Sequence, residues 1–474
     1  MSVIFQYLVL CSILFLNQNE AARILAMFPV ASISHSVVFR PLIHELVKRG
    51  HEVTLITPDP AFPKGGTPAN LTEIDVHDIS YAVWQEQFMS LPKGVRPGMV
   101  LSHIYKAPVI LVSSYGGYLD NYEVVGAPTH PLLYPVCYRQ QLNNLSLWEK
   151  IQQLYLHFNL EMIHREKYTL ENELIRKYFG PGVPTIQELN NNVHMMFLNV
   201  HPVFEGIRPV PPSVLYMGGL HVNTEKGLPK DLKSYLDSSK NGVIYLSFGT
   251  NVDPSLLPPR AIQTLVAALS KVPYDVLWKW NKDELPGKGD NIRISKWLPQ
   301  VDLLKHPKIK LFITQGGLQS TDEAISAGVP LIGVPMLGDQ WFNVERIVYH
   351  NIGLRLDMET LTEEELTDAI DKIIKNNTFY RRNLAKLHSL MRDQPQPPLE
   401  RAVWWTEYVL RHRGARHLRA PAANMSWAQY LELELVFTLL LGFLIATAAL
   451  ALSLRYIYKI TLGKTVIDEK IKRS

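Results

Sequence analysis

Lys310-Leu-Phe-Ile-Thr-Gln-Gly-Gly-Leu-Gln-Ser-Thr-Asp-Glu-Ala-Ile-Ser-Ala-Gly-Val-Pro-Leu-Ile-Gly-Val334 contains an apolar run, a glycine turn, a helical pattern and a second apolar run. Lys310 to Ile313 reads as a strand, Leu318 to Ala327 as a helix and Leu331 to Val334 as the next strand. Two strands joined through a helix run parallel, because the crossover returns the chain to the same end of the sheet. Upstream, Val243 to Phe248 and Val276 to Trp280 are further strand-like runs, with a helical pattern from Ala261 to Lys271 between them. This alternation begins at Gly242 and predicts one doubly wound domain over 231–398. A second predicted unit starts near the amino terminus. Arg23 to Phe28 reads as a strand, Pro29 to Ser34 as a loop, Val37 to Lys48 as an amphipathic helix ended by Gly50, and Glu52 to Thr57 as a strand. The chain is thus expected to be α/β with two doubly wound domains, the first over 23–230. Pro209 to Pro229, rich in Pro and Gly, reads as the linker, and Leu399 to Arg419, with Trp404, Trp405 and Tyr408, as a closing helix opening the 399–434 segment.

Composition agrees with this size. A chain of 474 residues exceeds one ordinary core, and 47% hydrophobic with 19% charged residues marks a folded protein. The net charge of +4 comes without a dense basic block in the body, which argues against nucleic-acid binding. Of two cysteines, Cys11 falls in a leader-like segment, so Cys137 has no partner for a disulfide within the mature chain.

Two apolar segments set the expected compartment. Val3 to Leu16 is short and followed by Ala21 and Ala22, the pattern of a secretory signal removed near residue 22. Leu435 to Leu454 holds 20 residues without a charge, about 30 Å of helix, which is the thickness of a bilayer core. The tail at 455–474 carries Arg455, Lys459, Lys464, Lys470, Lys472 and Arg473 against Asp468 and Glu469, so the tail is expected to be cytosolic and the body lumenal. Asn70, Asn144, Asn376 and Asn424 head glycosylation acceptor triplets on the lumenal side. The ending Lys470-Ile-Lys-Arg-Ser474 is similar to the lysine-based retrieval signal of endoplasmic reticulum membrane proteins.

In open parallel sheets ligands bind beyond the carboxyl ends of the strands. Ser247-Phe-Gly249-Thr250 ends one strand with a glycine and a hydroxyl, and Gln315-Gly-Gly317 ends another just before a helix whose first turn holds Ser320 and Thr321. Backbone N–H groups and the helix dipole there would face a phosphate. The whole run from Trp297-Leu-Pro-Gln300 through His306-Pro, Phe312 to Pro330 and Pro335-Met-Leu-Gly-Asp339-Gln340 resembles the donor-binding signature of UDP-glycosyltransferases over more than forty positions.

That resemblance extends to the N-terminal half and the membrane anchor. It implies a GT-B fold: two Rossmann-like domains facing a cleft, followed by a transmembrane helix. It implies that Trp297 stacks on uracil, Gln300 bonds near the base or ribose, and Glu323 accepts from the ribose hydroxyls. Gln315, Gly317 and Ser320, with Gly249 and Thr250 across the cleft, would hold the diphosphate, and Asp339 and Gln340 would contact the sugar. Many family members carry His where this chain has Gln315, so an amide replaces an imidazole at the phosphate. His35, after the first strand, matches the family's general base, and an imidazole of pKa about 6.5 suits that task.

One family feature is missing. An acid ending a later strand of the first domain should orient the catalytic His, yet from Tyr81 to Lys106 no apolar strand ends in Asp or Glu. A few dozen residues are absent near 87–96, and with them an interior strand; Glu86 or Asp78 could substitute only by accident of geometry. The expected activity is an inverting transfer of a hexosyl group from a UDP-sugar to a hydroxyl of a small lipophilic acceptor, with no cofactor and no metal. The fit to insect-like family members implies UDP-glucose rather than UDP-glucuronate. The missing acid motivates a second expectation, a UDP-binding chain that is a non-catalytic partner of intact homologues. A glycoside hydrolase lacks its paired carboxylates here. The membrane is an expected partner, and the sequence leaves homo- and hetero-oligomers equally open.

Overall fold

A computed structural model describes residues 21–63, 65–87, 97–137, 139–222, 227–423 and 425–471. The leader segment, Asn424 and the last three residues lie outside them. The chain forms two units, 1–420 and 421–474.

In the first unit the strands of the amino-terminal half are β1 (Arg23–Met27), β2 (Glu52–Thr57), β3 (Leu71–Asp75), β4 (Val109–Ser113), β5 (Val193–Leu198) and β6 (Val214–Tyr216). They form two separate parallel sheets, β1-β2-β3 and β4-β5-β6. Among the described residues β1 pairs only with β2 and β4 only with β5, so each presents one open edge. A doubly wound sheet has strand order 3-2-1-4-5-6. Among the described residues this half keeps that order except for a break between β1 and β4. Burial marks the break. β5 is buried throughout, while every residue of β4 is only partly covered and Leu25 of β1 is exposed, although all three strands are apolar.

The carboxyl half is complete. β7 (Val243–Ser247), β8 (Asp275–Lys279), β9 (Ile292–Ser295), β10 (Ile309–Thr314), β11 (Leu331–Gly333) and β12 (Gly353–Arg355) form one parallel sheet in the order β12-β11-β10-β7-β8-β9. β7 and β10 are buried on both faces apart from Lys310, as the interior strands of an all-parallel sheet are.

Seven helices matter below: α1 (Arg40–Lys48), α2 (Leu147–Phe179), α3 (Gln300–Leu304), α4 (Leu318–Ala327), α5 (Gln340–Tyr349), α6 (Pro398–Arg411) and α7 (Leu433–Ile471). The stretch read as a linker contains β6, the last strand of the first half. α6 is the closing helix. It returns to the first half, where Ala402, Val403 and Val409 join the core of Val38, Leu42, Leu46 and Val53. Its buried Glu407 accepts from Arg49 of the segment after α1, with Nη1 and Oε2 3.2 Å apart. The lone Cys137 is buried and reduced.

In the second unit, Leu433–Thr461 is the one helical stretch among the described residues long and apolar enough to cross a membrane, with none of it buried. The expected span, Leu435 to Leu454, lies inside it.

Candidate active site

Strand register builds the site in the carboxyl half. Thr314, ending β10, is level with Ser247, ending β7, on one side and with Gly333 of β11 on the other. Lys279, ending β8, is level with Ser295 of β9. Loops leaving these strands therefore emerge side by side, and they carry Gly249-Thr250, Gln315-Gly-Gly317, Trp297 and Asp339-Gln340. All ten residues expected to bind donor meet along this edge.

Gln315 sits at its centre, its Oε1 accepting from Thr314 Oγ1 at 3.0 Å. A Cβ on Gly249 would collide with Gln315 Nε2, and one on Gly317 would lie 3.2 Å from it. The amide nitrogen is thus flanked by two glycine backbones, with no room for a Cβ on Gly249 and a tight fit for one on Gly317 unless Gln315 moves. Gly249 also has φ +75, a conformation that costs other residues about 1–2 kcal/mol. Gly317 is the N-cap of α4, so the free N–H groups of that helix open beside the same amide. Glycines, an amide and a helix start form a cradle for an anion.

Next to the cradle, Trp297 is 62% exposed, an indole face uncovered by protein. Lys279 Nζ lies 5.6 Å from its ring centroid and donates to Gly249 O. Lys279 was not singled out from sequence, because a lysine at a strand end reads as an ordinary solvated charge; only the register places it between the stacking surface and the phosphate cradle. Burial lowers its pKa.

The ribose side is more tightly organised than expected. Gln300 Oε1 accepts from Tyr245 Oη at 2.9 Å, while its Nε2 donates to Ser320 Oγ at 2.9 Å and Glu323 Oε2 at 2.8 Å. Both donors of its amide are spent on Ser320 and Glu323, and its oxygen holds Tyr245 with one lone pair to spare. Burial raises Glu323 to about 7, and the bond from Gln300 works against that rise. His221 Nε2 lies 3.6 Å from Glu323 Oε1, and burial pushes this imidazole down to about 4. Burial thus favours the neutral form of both groups, and their contact is not an ion pair near neutral pH. Gln340 is half committed as well, its Oε1 accepting from the backbone N–H groups of Met336 and Leu337 at 2.9 and 2.8 Å. Only its NH2 group is left to face a sugar. Asp339 Oδ2 accepts from Asn343 at 2.8 Å, and burial raises its pKa.

His35 lies in a short helical turn, Ile33–Ser36, where a loop was expected up to Ser34. The two halves touch beside it. Ser32 Oγ donates to Asn251 Oδ1 at 3.0 Å, one residue beyond Thr250, and Gln319 Nε2 of α4 donates to Ser114 O at 2.8 Å. The imidazole packs edge-on to Tyr115, centroids 5.6 Å apart. Burial alone drives its pKa down to about 4, and no carboxylate contributes. Asp59, after β2, is occupied by Ser36 Oγ at 3.2 Å and Tyr81 Oη at 3.5 Å. Asp78 is exposed on another helix, and the side chain of Glu86 lies outside the described residues. His35 therefore stands without an acidic partner among the described residues.

Residues 87–467 match the family model "UDP-glucoronosyl and UDP-glucosyl transferase". An ecdysteroid UDP-glucosyltransferase of Spodoptera littoralis nuclear polyhedrosis virus is 33% identical, covering 90% of this chain and 95% of that protein. One from Lymantria dispar multicapsid nuclear polyhedrosis virus is 34% identical over 92% and 96%. Human UDP-glucuronosyltransferase 2B15 is 28% identical over 86% and 88%. The first alignment spans 494 positions, more than the 474 residues of this chain, so that relative has residues without a counterpart here. Among solved structures, the glycotransferase of kitacinnamycin superposes with TM-score 0.56 at 17% identity, over 83% of this chain and all of its own. Os79 from O. sativa gives 0.54 at 14%, over 81% and 99%. These likenesses fix the fold as GT-B.

Proposed function

This chain belongs to the family of UDP-glucuronosyl and UDP-glucosyl transferases, and from that membership we propose that it transfers glucose from UDP-glucose to a hydroxyl of a small lipophilic acceptor. The observation that carries the reading is the Gln315 amide flanked by Gly249 and Gly317, beside an uncovered Trp297 and a pre-positioned Glu323. In the proposed step the acceptor oxygen attacks the anomeric carbon while the bond from that carbon to the β-phosphate oxygen breaks. UDP leaves with the electron pair, stabilised by fixed backbone dipoles, Lys279 and the Gln315 amide. The acceptor proton passes to a ring nitrogen of His35, and configuration inverts. The residues present can neutralise the leaving group without a metal. The names of the viral relatives support glucose as the sugar; the human relative is named for glucuronate. Equal concentrations of UDP-glucose and UDP-glucuronate, offered with a phenolic acceptor, test this: the glucoside is the expected product, and preferential glucuronide formation overturns the donor assignment. His35→Ala should abolish transfer and leave UDP affinity nearly unchanged.

A second reading rests on the unpartnered His35 and the divided sheet. An imidazole near pKa 4 is a weak base, and no carboxylate stabilises the imidazolium formed in the transition state. The chain would then bind UDP without turnover and serve intact homologues as a partner. Turnover by the purified chain alone removes this reading.

We further place the body in the lumen of the endoplasmic reticulum, held by α7 as a single-pass anchor, with residues 455–474 in the cytosol. The loop asymmetry of basic residues supports this orientation. Among the acceptor triplets, Asn70 spends its amide on Val47 O and His51 O at 2.7 and 2.8 Å, which sets it aside as a glycosylation site in the folded protein. Protection of glycans on the other triplets from a glycosidase added outside sealed microsomes, lost on adding detergent, is the expected result; cleavage in sealed vesicles contradicts it.

A further inference from the structure

The segment that leaves β6, Met217-Gly-Gly-Leu-His-Val222, belongs by its packing to the first half. Met217 N donates to Leu198 O at 2.8 Å and Gly218 N to Val200 O at 3.2 Å, while Met217, Leu220 and Val222 are buried. A Cβ on Gly218 would lie 2.6 Å from His201 N, so the segment runs closer to the chain beyond β5 than a side chain there allows. His221 reaches the other way. Its Nε2 lies 3.3 Å from Gln319 O in the first turn of α4 and 3.6 Å from Glu323 Oε1 one turn further on. A carbonyl oxygen only accepts, so the ring hydrogen is on Nε2, and the neutral imidazole offers it towards both oxygens. Gln300 donates to the other oxygen of Glu323, Oε2, at 2.8 Å. The carboxyl group is therefore met at both ends, once from within its own half and once from the joining segment. Its neighbour Asp322 is buried, and burial, with Glu323 beside it, raises it to about 8. Asp322 is mostly neutral near pH 7, so a charge on this turn resides on Glu323.

We propose that His221 is a positioning residue for nucleotide recognition: with Gln300 it fixes the plane of the Glu323 carboxylate for the vicinal hydroxyls of a ribose, and it does so from the segment that joins the two halves. This role rests on the reading of Glu323 as the ribose acceptor. A carboxylate oxygen has two lone pairs, so Oε1 and Oε2 each keep one for the ribose after accepting from His221 and Gln300. Held at one oxygen alone, the group turns about its broad terminal torsion; held at both, it loses that freedom before the nucleotide arrives. The same contact links the halves. Gln319, whose carbonyl His221 also meets, donates through Nε2 to Ser114 O of the first half at 2.8 Å. The first turn of α4 is thus tied to the first half at two points, and the ribose site is completed by a residue outside the sheet that carries it.

Affinities of the full chain for UDP and for 2′,3′-dideoxy-UDP, which lacks both ribose hydroxyls, test this role. His221→Ala should weaken UDP about fivefold, the worth of one hydrogen bond, and leave the dideoxy nucleotide unchanged. His221→Asn, whose amide stops at the position of Nδ1, should behave like the alanine variant. His221→Gln, whose amide N–H reaches the place of Nε2, should restore most of the UDP affinity. In a Glu323→Ala background the change at 221 should have no further effect. Unchanged UDP affinity in the Ala and Asn variants, equal weakening of both nucleotides, or the same loss with Glu323 removed overturns the positioning role and leaves His221 a structural contact. An unaltered chain that binds UDP and the dideoxy nucleotide equally overturns the ribose role of Glu323 and this one with it, whereas no binding of UDP at all overturns the donor reading itself.

Discussion

The two halves of the body are built on one plan and differ in completeness. In the carboxyl half six strands run without interruption, and their level ends bring Gly249, Lys279, Trp297 and Gln315 together. Among the described residues of the amino-terminal half, the sheet stops after β1 and restarts at β4, with two open edges and no carboxylate acting on His35. In a parallel sheet, then, a site needs its neighbouring strands as well as its own residues. The donor side assembles from far-apart segments because every intervening strand is present. On the side proposed for the acceptor, His35, the proposed base, has no carboxylate beside it among the described residues.

Rejoining the sheet is the strongest way to sharpen this comparison. Inserting between residues 87 and 97 a strand-forming segment that ends in an acid should raise kcat/KM by roughly 10²- to 10⁴-fold, the usual worth of a general base or of the carboxylate that orients it. Initial rates with UDP-glucose measure it, and the same insertion should leave the UDP dissociation constant unchanged. A parallel change in both would mean that the halves are not separable.

Within the donor half, Glu323→Ala should weaken UDP binding by about 1.5–3 kcal/mol if the ribose bonds to an ionised carboxylate. Gln300→Ala should cost about 1 kcal/mol by releasing Glu323 and Ser320. Calorimetry of both variants checks their order; a larger loss for Gln300 would mean that it also contacts the base directly. Gly249→Ala should also lower stability by about 1–2 kcal/mol, since φ +75 is strained for any side chain, and should weaken UDP further by displacing Gln315.

The smallest effects are in pH. Glu323 has a raised pKa of about 7, so its neutral form favours the folded state fully below its ordinary pKa of 4.5, and that contribution is lost as pH rises through 7. Uridine has no phosphate to titrate, and its affinity should increase across that same interval as the carboxylate becomes ionised. His35 has the opposite sign. Its pKa is lowered to about 4, so the neutral imidazole favours folding above 6.5, and that contribution disappears as pH falls towards 4. The acid limb of kcat/KM should lie near pH 4 in this chain and move upward once a carboxylate partner is restored.

The legible parts of the sequence were those where local pattern and tertiary role agree. The apolar runs at 243–248, 310–313 and 331–334 became β7, β10 and β11 within a residue or so, because strands buried on both faces must be continuously apolar. The expected gap near 87–96 falls mostly on residues outside the described ones, and among the described residues the sheet is divided between β1 and β4. α2 escaped because Trp148, Tyr155 and Phe158 face outward and a core-directed reading gives them no place. The role of Gln300 escaped because its partners, Tyr245 and Glu323, stand 55 and 23 residues away, and only the fold brings the three together. Lys279 escaped for want of the register that sets it beside Trp297.

Calorimetric titration of the chain, as it stands and as His35→Ala, with UDP is the most direct check on the claim that one half is complete while the other is not. Saturable binding with a dissociation constant below the millimolar range, equal in both proteins, is the predicted result. No heat of binding at millimolar UDP in either protein would contradict it.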